Sequence, residues 1–273
     1  MNPDLERIDT YLEKVEKSEH KAESPNSDRL KVGVDLGTAY IVLVVLDEQN
    51  QPIACEKQAA QVLRDGVVVD YTKALQIVRE LKEKLESRIS HTLRNCAIAM
   101  PADTENSIKT HQYVAEGAGF EVTDILDEPT AANAVYQIRD GVVADIGGGT
   151  TGIAVFKNGE VVHVHDEPTG GTHVSLVLAG HYHMTFDEAE KFKQDFGNHK
   201  EVMAAVRPVI EKMGIIIRRG AGRYEPNAVY LCGGTCCLIG IEDVIQKETG
   251  ILTVKPKHPF LVTPAGIAMN CRL

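Results

Sequence analysis

Residues 32–56 and residues 142–167 are two versions of one pattern. The first reads VGVDLGTAYIVLVVLDEQNQPIACE and the second VVADIGGGTTGIAVFKNGEVVHVHDE. Each holds a β-rich run ending in aspartate, a turn built on glycine and threonine, a second β-rich run, a polar turn and a third run. In both copies the aspartate, Asp35 or Asp145, is followed by an apolar residue and a glycine. Self-similarity on this scale predicts two similar lobes, each founded on its own copy.

The remaining segments supply helices and further strands. Ala74, Ile77, Val78, Leu81, Leu85 and Ile89 share one face of a helix over about residues 72–89. A strand at 96–100 stops at Pro101. A helix is expected over about 105–118 and a strand over about 121–126, and Pro129 opens another helix, as suits a first turn. In the second half Asn158-Gly159 marks a hairpin. Helices follow at about 173–183, 186–195 and 199–218. A strand at 228–232 leads through a Gly-Gly turn into a helix over about 236–248, and a last helix follows Pro264. Strands and helices alternate throughout, which is the α/β class.

Residues 1–29 differ. They read as a flexible N-terminal extension with a short amphipathic helix, because Leu5, Ile8, Leu12 and Val15 make one narrow stripe and Ser18–Arg29 is polar. A helix this short gains order by packing on something, either a partner or the body of the chain. The first lobe is expected over 30–140 and the second over 141–273, with the C-terminal helix returning to the first.

Charge and composition exclude some functions. A formal net charge of −10 opposes a phosphate backbone, so no nucleic acid partner is expected. The longest apolar run, Tyr40 to Leu46, is too short for a bilayer, and the start MNPDLERIDT lacks the features of a secretion signal. A cytoplasmic protein without a membrane partner is therefore expected. The six cysteines are scattered, as buried thiols are in such a chain.

The turns carry the chemistry. In Asp35-Leu36-Gly37-Thr38, glycine permits close approach of a ligand, and backbone N–H groups with the Thr38 hydroxyl can hold phosphate oxygens. Gly147-Gly148-Gly149-Thr150-Thr151 offers the same in stronger form, as an anion-binding hollow. Asp35 and Asp145 would repel phosphate unless Mg²⁺, held partly through water, stands among them. A third turn, Cys232-Gly233-Gly234-Thr235, links a strand to a helix and lets the backbone approach a ring or a ribose. Cys232, Cys236 and Cys237 read as packing and not as a metal site. His163, His165, His181 and His183 read as ordinary histidines. Arg218, Arg219 and Arg223 suit the end of a helix, with an adenine or phosphate contact as the alternative.

In this order the turns resemble the actin superfold, which includes DnaK-type chaperones and the FtsA and MreB proteins. VDLGT (34–38) looks like the first phosphate loop, ADIGGGTT (144–151) the second, and LCGGT (231–235) the adenosine loop. DEPTAA (127–132) and PAGIA (264–268) look like the two connecting helices, and AEKFK (189–193) like the nucleotide-contacting helix of the MreB and FtsA branches. The resemblance implies two ribonuclease-H-like lobes of the actin-like ATPase superfold. With 110 residues from Asp35 to Asp145 and 87 from Asp145 to Cys232, the outer subdomains must be reduced.

It also implies ATP or ADP with Mg²⁺ as cofactors. Glu128, Asp145 and Asp35 form the implied catalytic set, Glu128 orienting water and the two aspartates carrying the metal through water. Gly37, Thr38, Gly147, Gly148, Gly149, Thr150, Thr151, Glu190, Lys193, Gly233, Gly234 and Thr235 are the implied nucleotide contacts. Within the superfold the short chain, RDGVVVDY (64–71) and the HPFLVTPAGIA ending resemble the chaperone-like family of ethanolamine utilisation. That implies a chaperone-like assembly or reactivation factor. Its partner would be a protein client of that process or a microcompartment shell, and its place the cytoplasm or the microcompartment. Gly152 stands where the superfold often has an acid, and no equivalent of the catalytic lysine of DnaK-type chaperones is found, so a slow ATPase is expected. The alternatives are a polymerising actin-like scaffold and a small-molecule kinase of the same superfold, with Asp103 as its candidate acid.

Overall fold

The computed structural model describes residues 4–64, 66–100 and 108–273. Asp103 and the first residues of the helix expected from 105 lie outside the described residues. The chain forms two compact units. One holds the chain through Gln137 together with Leu261–Leu273, the other Ile138–Phe260.

The first unit opens with α1 (Leu5–His20), followed by the antiparallel strands β1 (Lys31–Leu36), β2 (Tyr40–Leu46) and β3 (Pro52–Ala59). A two-stranded ladder, β4 (Leu63–Arg64) with β5 (Val67–Val68), lies between β3 and α2 (Tyr71–Ile89). Then come β6 (Asn95–Met100), α3 (Ile108–Gly117), β7 (Glu121–Asp127) and α4 (Glu128–Tyr136). The sheet order is β3-β2-β1-β6-β7, with β6 and β7 added parallel to β1.

The second unit repeats the plan. Antiparallel β8 (Gly141–Ile146), β9 (Thr151–Lys157) and β10 (Glu160–Glu167) precede α5 (Gly171–Tyr182), α6 (Phe186–Gln194) and α7 (His199–Ala221). Parallel β11 (Ala228–Cys232), α8 (Ile241–Thr249) and β12 (Leu252–Val254) complete the order β10-β9-β8-β11-β12. The repeat seen in the sequence is therefore a repeat of sheet topology. Finally α9 (Val262–Asn270) returns to the first unit.

The cores are aliphatic. In the first unit the predicted stripe of α2 packs with Val32, Val34, Leu43 and Ile98 on one face of the sheet. The other face carries small residues, and Ala97 and Ala99 meet Ala131 of α4 and Ile267 of α9. A Cβ on Gly33 would lie 2.5 Å from the Ala268 nitrogen and 2.6 Å from the Pro264 carbonyl, and a Cβ on Gly266 would strike the Ala131 carbonyl. Glycine at these two positions lets α9 lie backbone against backbone on β1 and α4. In the second unit Val174, Leu178, Val202, Val206, Ile210 and Ile217 from α5 and α7 cover β8, β9 and β11.

The N-terminal helix differs from the sequence expectation of a flexible extension. Asp4 caps α1 by accepting from the Arg7 N–H at 3.1 Å, and Ile8, Leu12 and Val15 are fully buried, with α1 packed along β3. Arg88 of α2 fastens its C-terminal end by donating to the Ser18 carbonyl at 2.7 Å and to the Cys55 carbonyl at 3.0 Å. The same guanidinium pairs with buried Glu56, while Lys57 reaches Glu19 at 2.7 Å. Beyond the helix, the Glu23 N–H donates to the Ile53 carbonyl at 2.8 Å. The physical reason is area: packed along β3, three of the four stripe residues, Ile8, Leu12 and Val15, lose all contact with water, while Leu5 at the start of the helix stays partly exposed.

Candidate functional site

In each sheet the aspartate of the repeat stands at the carboxyl end of its strand, the edge where α/β sheets gather ligands. In the first unit Asp35 pairs with Ala99 of β6, and Met100 of β6 pairs with Asp127 of β7. Two strand spacings, roughly 10 Å, thus separate Asp35 from the start of α4. Glu128 is the first residue of that helix, and Asp127 caps it by accepting from the Thr130 N–H at 2.8 Å. Asp35, Gly37, Thr38 and Glu128 are all half-buried along this edge. A Cβ on Gly37 would lie 2.7 Å from the Tyr40 carbonyl, so the turn needs glycine there.

In the second unit Asp145 is buried, paired with Gly152 on β9 and with Cys232 on β11. Gly233 follows Cys232 with φ +93°, and a Cβ there would strike the Asp145 carboxylate. The strand-end aspartate and the third glycine turn therefore touch directly.

The triple-glycine loop is held from behind. The Gly147 N–H donates to the Thr150 carbonyl at 3.1 Å, closing the turn. The Gly147 carbonyl accepts from the Gly171 N–H at 3.0 Å and from the Thr235 hydroxyl at 2.7 Å, and the Gly148 carbonyl accepts from the Thr172 N–H at 2.8 Å. A trans peptide is planar, with its N–H opposite its C=O. Because both carbonyls face α5, the N–H groups of Gly148 and Gly149 face away from it. Two consecutive donors so arranged form a hollow for an anion.

The first turn of α5 approaches this closely because it begins with two glycines. A Cβ on Gly170 would lie 2.8 Å from the carbonyl oxygens of both Gly147 and Gly148, and one on Gly171 would lie 2.7 Å from the Thr235 hydroxyl. Sequence reasoning missed Gly170-Gly171-Thr172. The signal was present, since it is the same triplet as Gly233-Gly234-Thr235.

Thr150 and Thr151 are buried, and the Thr151 hydroxyl donates to the Thr169 carbonyl at 2.6 Å, so it holds the loop to the chain entering α5. Gly234 lies against Phe260, with room for only a tight Cβ at 3.3 Å from the ring.

Glu190 and Lys193 lie on α6, which Thr185 and Glu188 start with a reciprocal capping box. The structure brings both to the first turn of α5. The Lys193 ammonium donates to the Gly171 carbonyl at 3.1 Å, to Ser175 Oγ at 2.7 Å and to Glu190 Oε1 at 2.6 Å. Ser175 is fully buried, and its hydroxyl also meets Glu190 Oε1. Burial holds the Lys193 ammonium below the usual lysine range, with Glu190 opposing that shift.

The other polar candidates are engaged locally. Cys236 Sγ donates to the Cys232 carbonyl at 2.9 Å, and burial holds its thiol well above the usual range. His163 stacks on Tyr224, and His165 pairs with Glu167 at 2.9 Å. Arg219 also pairs with Glu167, and Arg218 with Glu248 at 3.2 Å. Among the described residues, no helix is long and apolar enough to cross a membrane.

Comparison with known proteins identifies the family and the fold. Residues 52–197 match the MreB/Mbl protein family and residues 142–266 the cell division protein FtsA family. The chain is 39% identical to the ethanolamine utilization protein EutJ of Escherichia coli (strain K12) over 267 residues, covering 97% of this chain and 93% of that one. It is 44% identical to the crystal structure of EutJ from Carboxydothermus hydrogenoformans, with a TM-score of 0.91 over 97% of this chain and 99% of that one. The fold extends to MreB 5 of Spiroplasma citri bound to AMPPNP, at 17% identity and a TM-score of 0.69 over 89% of this chain and 95% of that one.

Proposed function

The chain belongs to the EutJ family of ethanolamine utilization proteins, with the fold of the actin-like ATPases, and we propose that it is an adenine-nucleotide-dependent, chaperone-like assembly or reactivation factor for a protein of that process. The observation that carries the reading is the glycine loop at 147–149, whose carbonyls are held by α5 and Thr235 so that the Gly148 and Gly149 N–H groups face away. The groups present in each unit fit the ligand: in the second, two adjacent N–H groups suit a phosphate, and the strand-end carboxylate of either unit, Asp35 or Asp145, is a hard oxygen ligand that suits Mg²⁺ through water. When bound, the metal supplies charge that offsets the phosphates. Gly37 and Thr38 serve the second set of phosphate oxygens, and Gly233 and Gly234 admit the adenosine.

Glu128 is proposed to orient the attacking water at the start of α4, with slow turnover because Gly152 supplies no acid. Nucleotide state would then set affinity for the client or for the microcompartment shell. Calorimetry with MgATP and MgADP tests the reading. Binding that chelation weakens is expected, and no heat of binding at millimolar nucleotide refutes it.

A further inference from the structure

Ser175 lies outside every glycine turn, is fully buried, and yet sits at the centre of the polar contacts behind the phosphate loop. Its hydroxyl oxygen accepts from Lys193 at 2.7 Å, and its one proton has two acceptors in reach, Glu190 Oε1 and, at 3.1 Å, the Gly171 carbonyl. Lys193 uses its three hydrogens on Ser175, Glu190 and that same Gly171 carbonyl. Two side chains, Ser175 of α5 and Lys193 of α6, thus close on one backbone carbonyl, and Glu190 holds both of them.

The contacts continue into the loop. The N–H of Gly171 donates to the Gly147 carbonyl at 3.0 Å, and the next N–H, of Thr172, donates to the Gly148 carbonyl at 2.8 Å. Through the planar peptide, those two carbonyls set the direction of the Gly148 and Gly149 N–H groups. A shift of the first turn of α5 must therefore rotate the phosphate donors, since a Cβ-free glycine pair already stands at contact distance and leaves no slack.

We propose that Ser175 is a positioning residue for the phosphate end of the nucleotide: acting through Lys193 and Gly171, it fixes the orientation of the Gly148 and Gly149 N–H groups. This rests on the nucleotide-binding reading above. Ser175 itself touches no ligand, because its side chain has no access to solvent. Removing its hydroxyl leaves Lys193 with two acceptors and Glu190 Oε1 with one fewer donor, within a buried charged group where such a loss is felt strongly.

The test is Ser175→Ala, compared with wild type for binding of MgADP and of adenosine by calorimetry, alongside amide hydrogen exchange of the nucleotide-free protein. MgADP affinity is expected to fall about tenfold while adenosine affinity stays within about twofold. Exchange at Gly171 and Thr172 is expected to quicken while α7 is unchanged. A general loss of structure would instead weaken both ligands together and quicken exchange in α7, and that result overturns the proposal. So does a variant that matches wild type for both ligands. A wild type that binds neither ligand overturns the nucleotide reading itself, which separates the two failures.

Discussion

The Thr235 hydroxyl donates to the Gly147 carbonyl at 2.7 Å, so the turn that ends β11 is a strut for the loop that ends β8. Two glycine motifs are thereby joined through residues 88 positions apart. Thr235→Val keeps the shape and removes the strut, leaving the Gly147 carbonyl with the Gly171 N–H alone. The expected cost is about 1 kcal/mol of stability in urea denaturation, with nucleotide affinity reduced about fivefold by calorimetry.

Glu128 opens α4 at the carboxyl edge of the first sheet, and its proposed work is on water and not on holding nucleotide. Glu128→Gln should lower steady-state ATP turnover by about tenfold or more while leaving MgADP affinity nearly unchanged. Equal turnover in the two proteins would remove the assignment.

Gly152 pairs across β9 with Asp145 on one side and Asp166 on the other. Directly paired residues project from the same face of a sheet, so Gly152→Asp would set a third carboxylate between two others in a buried strand. A loss of about 2 kcal/mol or more is expected, seen as a lower melting temperature. Faster ATP turnover with unchanged stability would contradict this account.

Leu12 has no exposed surface where α1 meets β3. Leu12→Ala should cost about 2–4 kcal/mol in urea denaturation. A variant as stable as wild type would mean that α1 does not contribute to the first unit's core in solution.

His199 is buried as a neutral ring: Nδ1 accepts from the Ile239 N–H at 3.2 Å while Nε2 donates to the Lys193 carbonyl at 3.1 Å. Burial holds its pKa below the usual 6.5, with the Lys193 carbonyl opposing. The unfolded chain therefore binds the proton more readily. The stability that neutral His199 contributes is fully present above pH 6.5 and is lost as pH falls through the lower folded value. Urea midpoints measured from pH 7.5 down to 5 should fall further for wild type than for His199→Gln. Parallel curves for the two proteins would exclude a role for this ring.

The repeat made most of the fold legible, because strand runs such as Tyr40–Leu46 and turns such as Asn158-Gly159 act within a few residues. The elements missed are those fixed from a distance. β12 has three residues and exists through its pairing with β11, and the β4–β5 ladder is shorter still. The stripe of α1 announced a buried face, but the cover, β3 with Arg88 stitched across Ser18 and Cys55, came from residues whose proximity no local pattern encodes. At the candidate site the glycine loops could be read directly. Ser175 could not, since a lone serine in an apolar helix looks like filler until Lys193 is folded against it.

The return of α9 to the first unit has a consequence for biosynthesis. While the chain emerges from the ribosome, Ile138–Phe260 is an unbroken stretch that has everything its own sheet requires. The earlier-made unit does not: Gly33, Ala97, Ala99 and Ala131 lie bare until α9, with Ala268 and Ile267, has left the exit tunnel. The half translated first is thus completed last, and a polypeptide that stops before α9 would present that uncovered alanine face to other nascent chains.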